Sequence, residues 1–283
     1  MAGREQAVGK TLSSPSEWQL VLELLLLGSV AGFLAGLLGI GGGALLVPFM
    51  TLVLSFKEMP AQHIVKMAVA TSLATICFTS MSSLRAHHQR GAVHWDVVKL
   101  LAPGIVLGSL LGAQIAKALP AAVLACLFAV FLTFSATQIF FDRKPKPGRL
   151  LPKGSALFGV GGAIGLISTL VGAGGAFLTV PLMIACNMPI INAVATSAAL
   201  GFPIAVAGTL GYIIAGWSLP DMPSGTLGYL YLPALFTLAA ASMLSAPWGA
   251  RAAHRMNVRQ LRRAFAGLLV GLAGYMLVKG VSS

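Results

Sequence analysis

Two short polar pairs, Thr71-Ser72 and Thr196-Ser197, stand out in a chain with little else that could do chemistry. Each closes the same five-residue string, AVATS, at 68–72 and at 193–197. A glycine cluster precedes each string: Gly39-Ile40-Gly41-Gly42-Gly43 in one case, Gly172-Ala173-Gly174-Gly175 in the other. Hydroxyls in apolar helices usually bond back to their own backbone, which would suffice for a lone pair. Duplication in the same order after a glycine cluster points instead to a shared centre. Glycine costs about 1 kcal/mol per residue in a helix relative to alanine, so each cluster should break one. A break at membrane depth exposes N–H groups at a half-helix N-terminus, with roughly +0.5 of a charge. Such an end holds an oxyanion without a buried Lys or Arg. The candidate binding residues are therefore Gly41, Gly42, Gly43, Thr71, Ser72, Gly174, Gly175, Thr196 and Ser197. Asn192 and Ser168-Thr169 are secondary candidates, for which capping or local backbone bonding is the competing reading.

Other chemistries fail on context. Residues 39–44, GIGGGA, fit a dinucleotide-binding pattern formally, but a long apolar run precedes them and the second copy lacks the spacing. His87, His88 and His94 with Asp96 resemble a metal set, yet they sit beside Arg85 and Arg90, as a solvated loop would. Cys77, Cys126 and Cys186 are dispersed in apolar runs and form neither a disulfide framework nor a metal motif. No HExxH, GxSxG or intramembrane aspartate pair is present, so neither enzyme chemistry nor a cofactor is expected. Glu23 and Lys66 lie near span ends, where long side chains snorkel to water.

The elements that must position these residues are membrane helices. Of 283 residues 57% are hydrophobic and 9% charged, against about a quarter charged in soluble domains. Mean hydropathy is +0.88, and between Gly154 and Ala250 the sole charged residue is Asp221. A soluble globular fold and a disordered chain are both excluded. Apolar stretches fall near 18–56, 64–84, 97–118, 121–141, 155–187, 190–216, 229–248 and 261–279. Two are too long for a core of about 30 Å, and both carry a glycine cluster in the middle. The run from Trp18 reads as a retained membrane segment, since a signal h-region is only about 7–15 residues.

The chain also repeats itself. GIGGGALLVPFM (39–50) matches GAGGAFLTVPLM (172–183), AVATSLA (68–74) matches AVATSAA (193–199), and GAQIAKALP (112–120) lies on GARAAHRMN (249–257). The expected organisation is an N-terminal tail 1–17, a first transmembrane repeat 18–141, a basic linker 142–153 and a second repeat 154–283. Each repeat should comprise a glycine-broken segment, either re-entrant or a broken crossing, plus about three spans. The net charge of +12 comes largely from Lys and Arg in the linker and between Arg251 and Arg263. By the positive-inside rule these are cytoplasmic, so the cations mark topology, and no nucleic-acid partner is expected. Arg85, Arg90 and Lys99 have no basic counterpart at 217–228, while the Arg251–Arg263 cluster faces only Lys117 at 112–121. Equivalent loops thus carry opposite charge bias, which implies two halves of inverted topology. Inverted repeats with broken helices are a transporter signature. The fold class is an all-α polytopic membrane protein.

AGFLAGLLGIGGGALLVPFM, the AVATS that follows, RGAVHWDVVKLLAPGIVLGSLLGAQIA, and GLISTLVGAGGAFLTVPLM with NAVATS resemble the sulfite exporter TauE/SafE family. The resemblance runs from about residue 20 to 280. It implies a bacterial-type inner-membrane permease for small sulfur-containing anions such as sulfite, sulfonates or sulfoacetate. The family pattern falls on Gly39, Gly41–Gly43, Pro48, Thr71 and Ser72, and on Gly172, Gly174, Gly175, Pro181, Thr196 and Ser197. Ala176 stands where the first copy has Gly43, so the half-sites need not be equivalent. The expected function is alternating-access transport of a small anion held at midplane between the breaks, with export favoured. A passive channel, a proton- or cation-coupled importer of organic acids, and a non-transporting anchor are the alternatives. The expected partners are the anion and the bilayer, with monomer and homo-oligomer both open.

Overall fold

The computed structural model describes residues 15–38, 43–57, 59–141, 148, 155–220, 222–253 and 258–281. Among them the first half contributes α1 (Pro15–Leu38), α2 (Gly43–Phe56), α3 (Ala61–Gln89), α4 (Trp95–Ala118) and α5 (Ala121–Phe141). The second contributes α6 (Ser155–Leu170), α7 (Ala176–Ala185), α8 (Ile190–Gly216), α9 (Leu232–Ala253) and α10 (Val258–Val281). A two-stranded hairpin, β1 (Thr226–Leu227) with β2 (Leu230–Tyr231), precedes α9. Prolines punctuate the helix starts: Pro60, Pro120 and Pro189 stand immediately before α3, α5 and α8. A proline there sacrifices no intrahelical bond.

Six helices are long and apolar enough to cross a bilayer: α3, α4, α5, α8 and the main parts of α9 and α10. Leu111, Val130, Ile214 and Val278 are exposed on their outer faces, as a lipid-facing surface requires. The second overlong apolar segment is broken at its glycines into α6 and α7, while the first is described as α1 and α2, with 39–42 outside the described residues. One boundary differs from the sequence expectation. The stretch from 229 begins as hairpin rather than helix, because Gly225 and Gly228 take left-handed φ of 83° and 58°. Tyr229 N–H then donates to Tyr212 O of α8 at 3.5 Å.

Helix directions follow from the contacts. Along α4 and α6, Gly161 meets Leu101, Gly165 meets Ile105 and Gly112 meets Leu166, so the two run parallel. α1 and α9 run parallel in the same way, through Gly28 on Leu238 and Gly32 on Ser242. Extending the repeat register places Gly28 opposite Gly161, Gly32 opposite Gly165, Leu238 opposite Leu101 and Ser242 opposite Ile105. The two helix pairs are therefore the same contact with the halves exchanged. Small residues let the backbones touch: a Cβ on Gly28 would lie 2.8 Å from that of Ala241.

Equivalent helices that meet directly run antiparallel. On α3 and α8, Leu73 packs at Gly208 and Ser80 at Gly201. On α5 and α10, Ala122 meets Gly280 at one end, and Phe140 lies 5.9 Å under the Arg263 guanidinium at the other. α4 and α8 are parallel, with His94 bonded to Thr196 at their starts and Gln114 to Gly211 farther along. α6 therefore runs with α8. α7 runs against α8, with Thr179 beside Ser197 across a short connection. The chain consequently reverses direction at the second glycine cluster.

Candidate functional site at the glycine breaks

The second break is built by glycine conformation. Gly172 (φ 63°) and Gly175 (φ 76°) occupy the left-handed region that L side chains avoid. The Ala173 N–H folds back onto Ser168 O at 3.0 Å and ends α6. α7 starts immediately after Gly175, and α2 starts at Gly43. The structure sets Gly43 against the second break: a Cβ on Gly43 would lie 2.8 Å from Gly172 O and 3.3 Å from Ala173 Cα. Gly174 packs on Ile76 of α3, with a would-be Cβ distance of 3.3 Å. The first-turn N–H groups of a helix have no intrahelical acceptor. The start of α7, just after the buried Gly175, is such an end, and Gly43 of the other half lies beside the turn that leads into it. Gly39, Gly41 and Gly42 lie outside the described residues.

Thr71, Ser72, Thr196 and Ser197 are all at most 2% exposed, so the interior receives all four hydroxyls. Ser72 Oγ donates to Gly172 O at 3.1 Å, tying the first AVATS to the second break. Ser197 Oγ lies 2.6 Å from Thr179 Oγ1, one turn into α7. The two threonines are committed differently. Thr196 Oγ1 accepts the His94 N–H at the start of α4 at 3.0 Å. Thr71 Oγ1 accepts the Tyr231 N–H at the start of α9 at 3.2 Å. His94 and Tyr231 are equivalent positions in the register of 112–120 on 249–257, so each half's threonine anchors the other half's fourth long helix. Asn192 is placed elsewhere, its Nδ2 donating to Ala92 O at 3.0 Å in the loop before α4.

Ser168 and Thr169 are 1% and 0% exposed, and neither hydroxyl has a hydrogen-bond partner. A Cβ on Gly175 would lie 3.3 Å from Ser168 Oγ, which puts one of these orphaned hydroxyls against the break. Thr179 belongs to the same cluster but carries no signal in the repeat, where Leu46 is its counterpart. Lys66 corrects a sequence expectation. Its side chain turns inward and is 7% exposed, with Nζ donating to Lys117 O at 2.9 Å. No group of three or more His, Cys, Asp or Glu that could hold a metal occurs among the described residues. His94 instead pairs loosely with Asp96 at 3.8 Å, and His88 Nδ1 accepts from the Trp95 indole at 3.3 Å.

Apolar, bilayer-length helices packed around a segment broken at Gly172–Gly175 define a multi-pass membrane protein. The profile of the sulfite exporter TauE/SafE family matches residues 24–276, and the chain belongs to that family. A "probable membrane transporter protein" of Haemophilus influenzae is 34% identical over 262 residues, covering 92% of this chain and 98% of the relative. A similarly named protein of Methanocaldococcus jannaschii is 26% identical, with 93% and 97% covered, and one of Bacillus subtilis is 31% identical, with 77% and 89% covered. No solved structure gives a significant match.

Proposed function

We propose that the protein is a secondary transporter of small sulfur-containing oxyanions, bound at midplane between the Gly43 and Gly172–Gly175 breaks. The observation that carries this reading is the packing of Gly43 from one half on the Gly172–Ala173 turn that leads into α7 of the other, beside the buried hydroxyls of Ser72, Ser197, Thr179 and Ser168. Positive dipole ends and neutral donors favour an anion. Rocking of one half against the other would alternate access.

The halves are read as inverted repeats in the inner membrane. The antiparallel α3/α8 and α5/α10 pairs support this, as does the exchange-related packing of α1 on α9 and α6 on α4. The linker 142–153, the loop at 85–94 and the α9–α10 connection then share one basic, cytoplasmic side. Moving one negative charge outward across about 100 mV, inside negative, gains about 2.3 kcal/mol, so export needs no coupled ion. The test is flux of radiolabelled sulfite, sulfoacetate, sulfate and simple carboxylates in proteoliposomes. Saturable flux stimulated by counter-substrate is expected for at least one sulfur oxyanion. Unsaturable flux would mean a channel, and no flux together with no thermal stabilisation by any of these anions would refute the reading.

A further inference from the structure

We infer that Lys66 is the centre of a second, shallower anion station, on the side of the molecule opposite the basic loops. The inference rests on the transport reading above and adds a waypoint to it. Lys66 lies on α3, five residues before Thr71, and is 7% exposed. Among the described residues no carboxylate pairs with it, the one acid–base contact there being His94 with Asp96. An ammonium has three donors, and one is spent on Lys117 O in the last turn of α4.

The groups around it suit an anion's approach. Tyr229 lies beneath the ammonium, with its ring centroid 5.9 Å from Nζ, and His63 packs on the same ring at 5.7 Å. Gln62 Nε2 lies 3.2 Å from His63 Nε2, and Gln62 also lines a cavity of about 500 Å³ between Pro60–Gln62 and Pro120–Ala122. That cavity opens where the α2–α3 and α4–α5 turns meet, one helical turn from Lys66. Inward, Tyr229 meets Tyr212 edge-on at 6.2 Å, and the Tyr212 hydroxyl donates to Thr169 O at 3.3 Å. The same carbonyl accepts the Gly172 N–H at 3.4 Å. A continuous chain of contacts thus joins Lys66 to the glycine break, passing the partnerless Thr169 hydroxyl. The equivalent position in the second half is Ile191, which is 70% exposed, so the cation belongs to one face only.

The competing role for Lys66 is capping of the α4 C-terminus, and the variants separate the two. Lys66→Gln keeps a donor for Lys117 O and removes the charge, whereas Lys66→Arg keeps both. Uptake of radiolabelled sulfite would be measured in right-side-out and inside-out vesicles. Loss of one charge-assisted contact should raise the half-saturating concentration of Lys66→Gln by about tenfold from the exoplasmic face. The value from the cytoplasmic face should stay close to wild type, and Lys66→Arg should restore the exoplasmic value. If Lys66→Gln does not fold, Ala61→Trp, which fills the cavity mouth without touching Lys66, decides: it must weaken exoplasmic saturation alone. Wild-type flux that both variants leave unchanged overturns the station and spares the transport reading. Absence of wild-type flux for sulfite, sulfoacetate, sulfate and simple carboxylates alike, with no thermal stabilisation by any of them, overturns both.

Discussion

Thr71 and Thr196 show how a repeated residue serves the joint between halves. Each oxygen receives a backbone N–H from the other half, at equivalent positions, while each hydroxyl proton stays available to a second partner. The two bonds sit in different surroundings. Tyr231 is 8% exposed, whereas the His94 side chain is 44% exposed. A buried donor left without its acceptor costs about 1–3 kcal/mol, while a donor that water reaches costs less. Thr71→Val should therefore destabilise the protein by about 1–3 kcal/mol, Thr196→Val should cost under about 1 kcal/mol, and both serine variants should stay near wild type. Thermal or denaturant unfolding in detergent measures this, and equal losses for the two valine variants would contradict it.

At the scale of elements, the glycines divide into those that packing demands and those it does not. A Cβ on Gly108 would fall inside the van der Waals shell of the Gly162 carbonyl, and one on Gly161 would lie 2.5 Å from Leu101 O. On α10, Gly267, Gly271 and Gly274 meet nothing within 4 Å. Gly108→Ala and Gly161→Ala should each cost about 1–3 kcal/mol through overpacking. Gly271→Ala should be neutral or gain up to about 1 kcal/mol of helix propensity, and unfolding of the purified variants would rank them. Much of this element plan was legible in the chain, because glycine clusters break helices and the AVATS copies set the register between halves. The β1–β2 hairpin was not, since Tyr229–Tyr231 continues an apolar run and its geometry depends on left-handed Gly225 and Gly228, the latter docked on Ile213 of α8. Burial of Lys66 was equally hidden. A long side chain near a span end reads as water-seeking unless the α4 carbonyl that receives it is known. The breaks announced themselves as breaks, but their meeting is a tertiary fact that no local pattern contains.

At the scale of the whole molecule, helix directions and charge address the same question independently. The contacts put the end of α3 beside the start of α8, through Asn192 and Ala92, and the end of α5 beside the start of α10, through Phe140 and Arg263. Arg85, Arg90 and Arg263 fall at that end of the helices. The opposite end carries Lys57, Lys117 and Lys279, with no Lys or Arg between Gly216 and Leu232. Had the halves run in the same direction, α3 and α8 would be parallel and these cations would be shared between both faces. An inverted arrangement, as proposed, would put them together, as the positive-inside rule requires. Single cysteines at Gln89 and Ser224, both exposed, test it in a background where Cys77, Cys126 and Cys186 are alanine. A membrane-impermeant thiol reagent applied to intact cells should label Ser224→Cys and leave Gln89→Cys unmodified until the membrane is opened. Labelling of both from one side would break the link between the antiparallel helix pairs and the membrane. The alternating-access reading, which needs two halves facing opposite ways around one site, would fall with it.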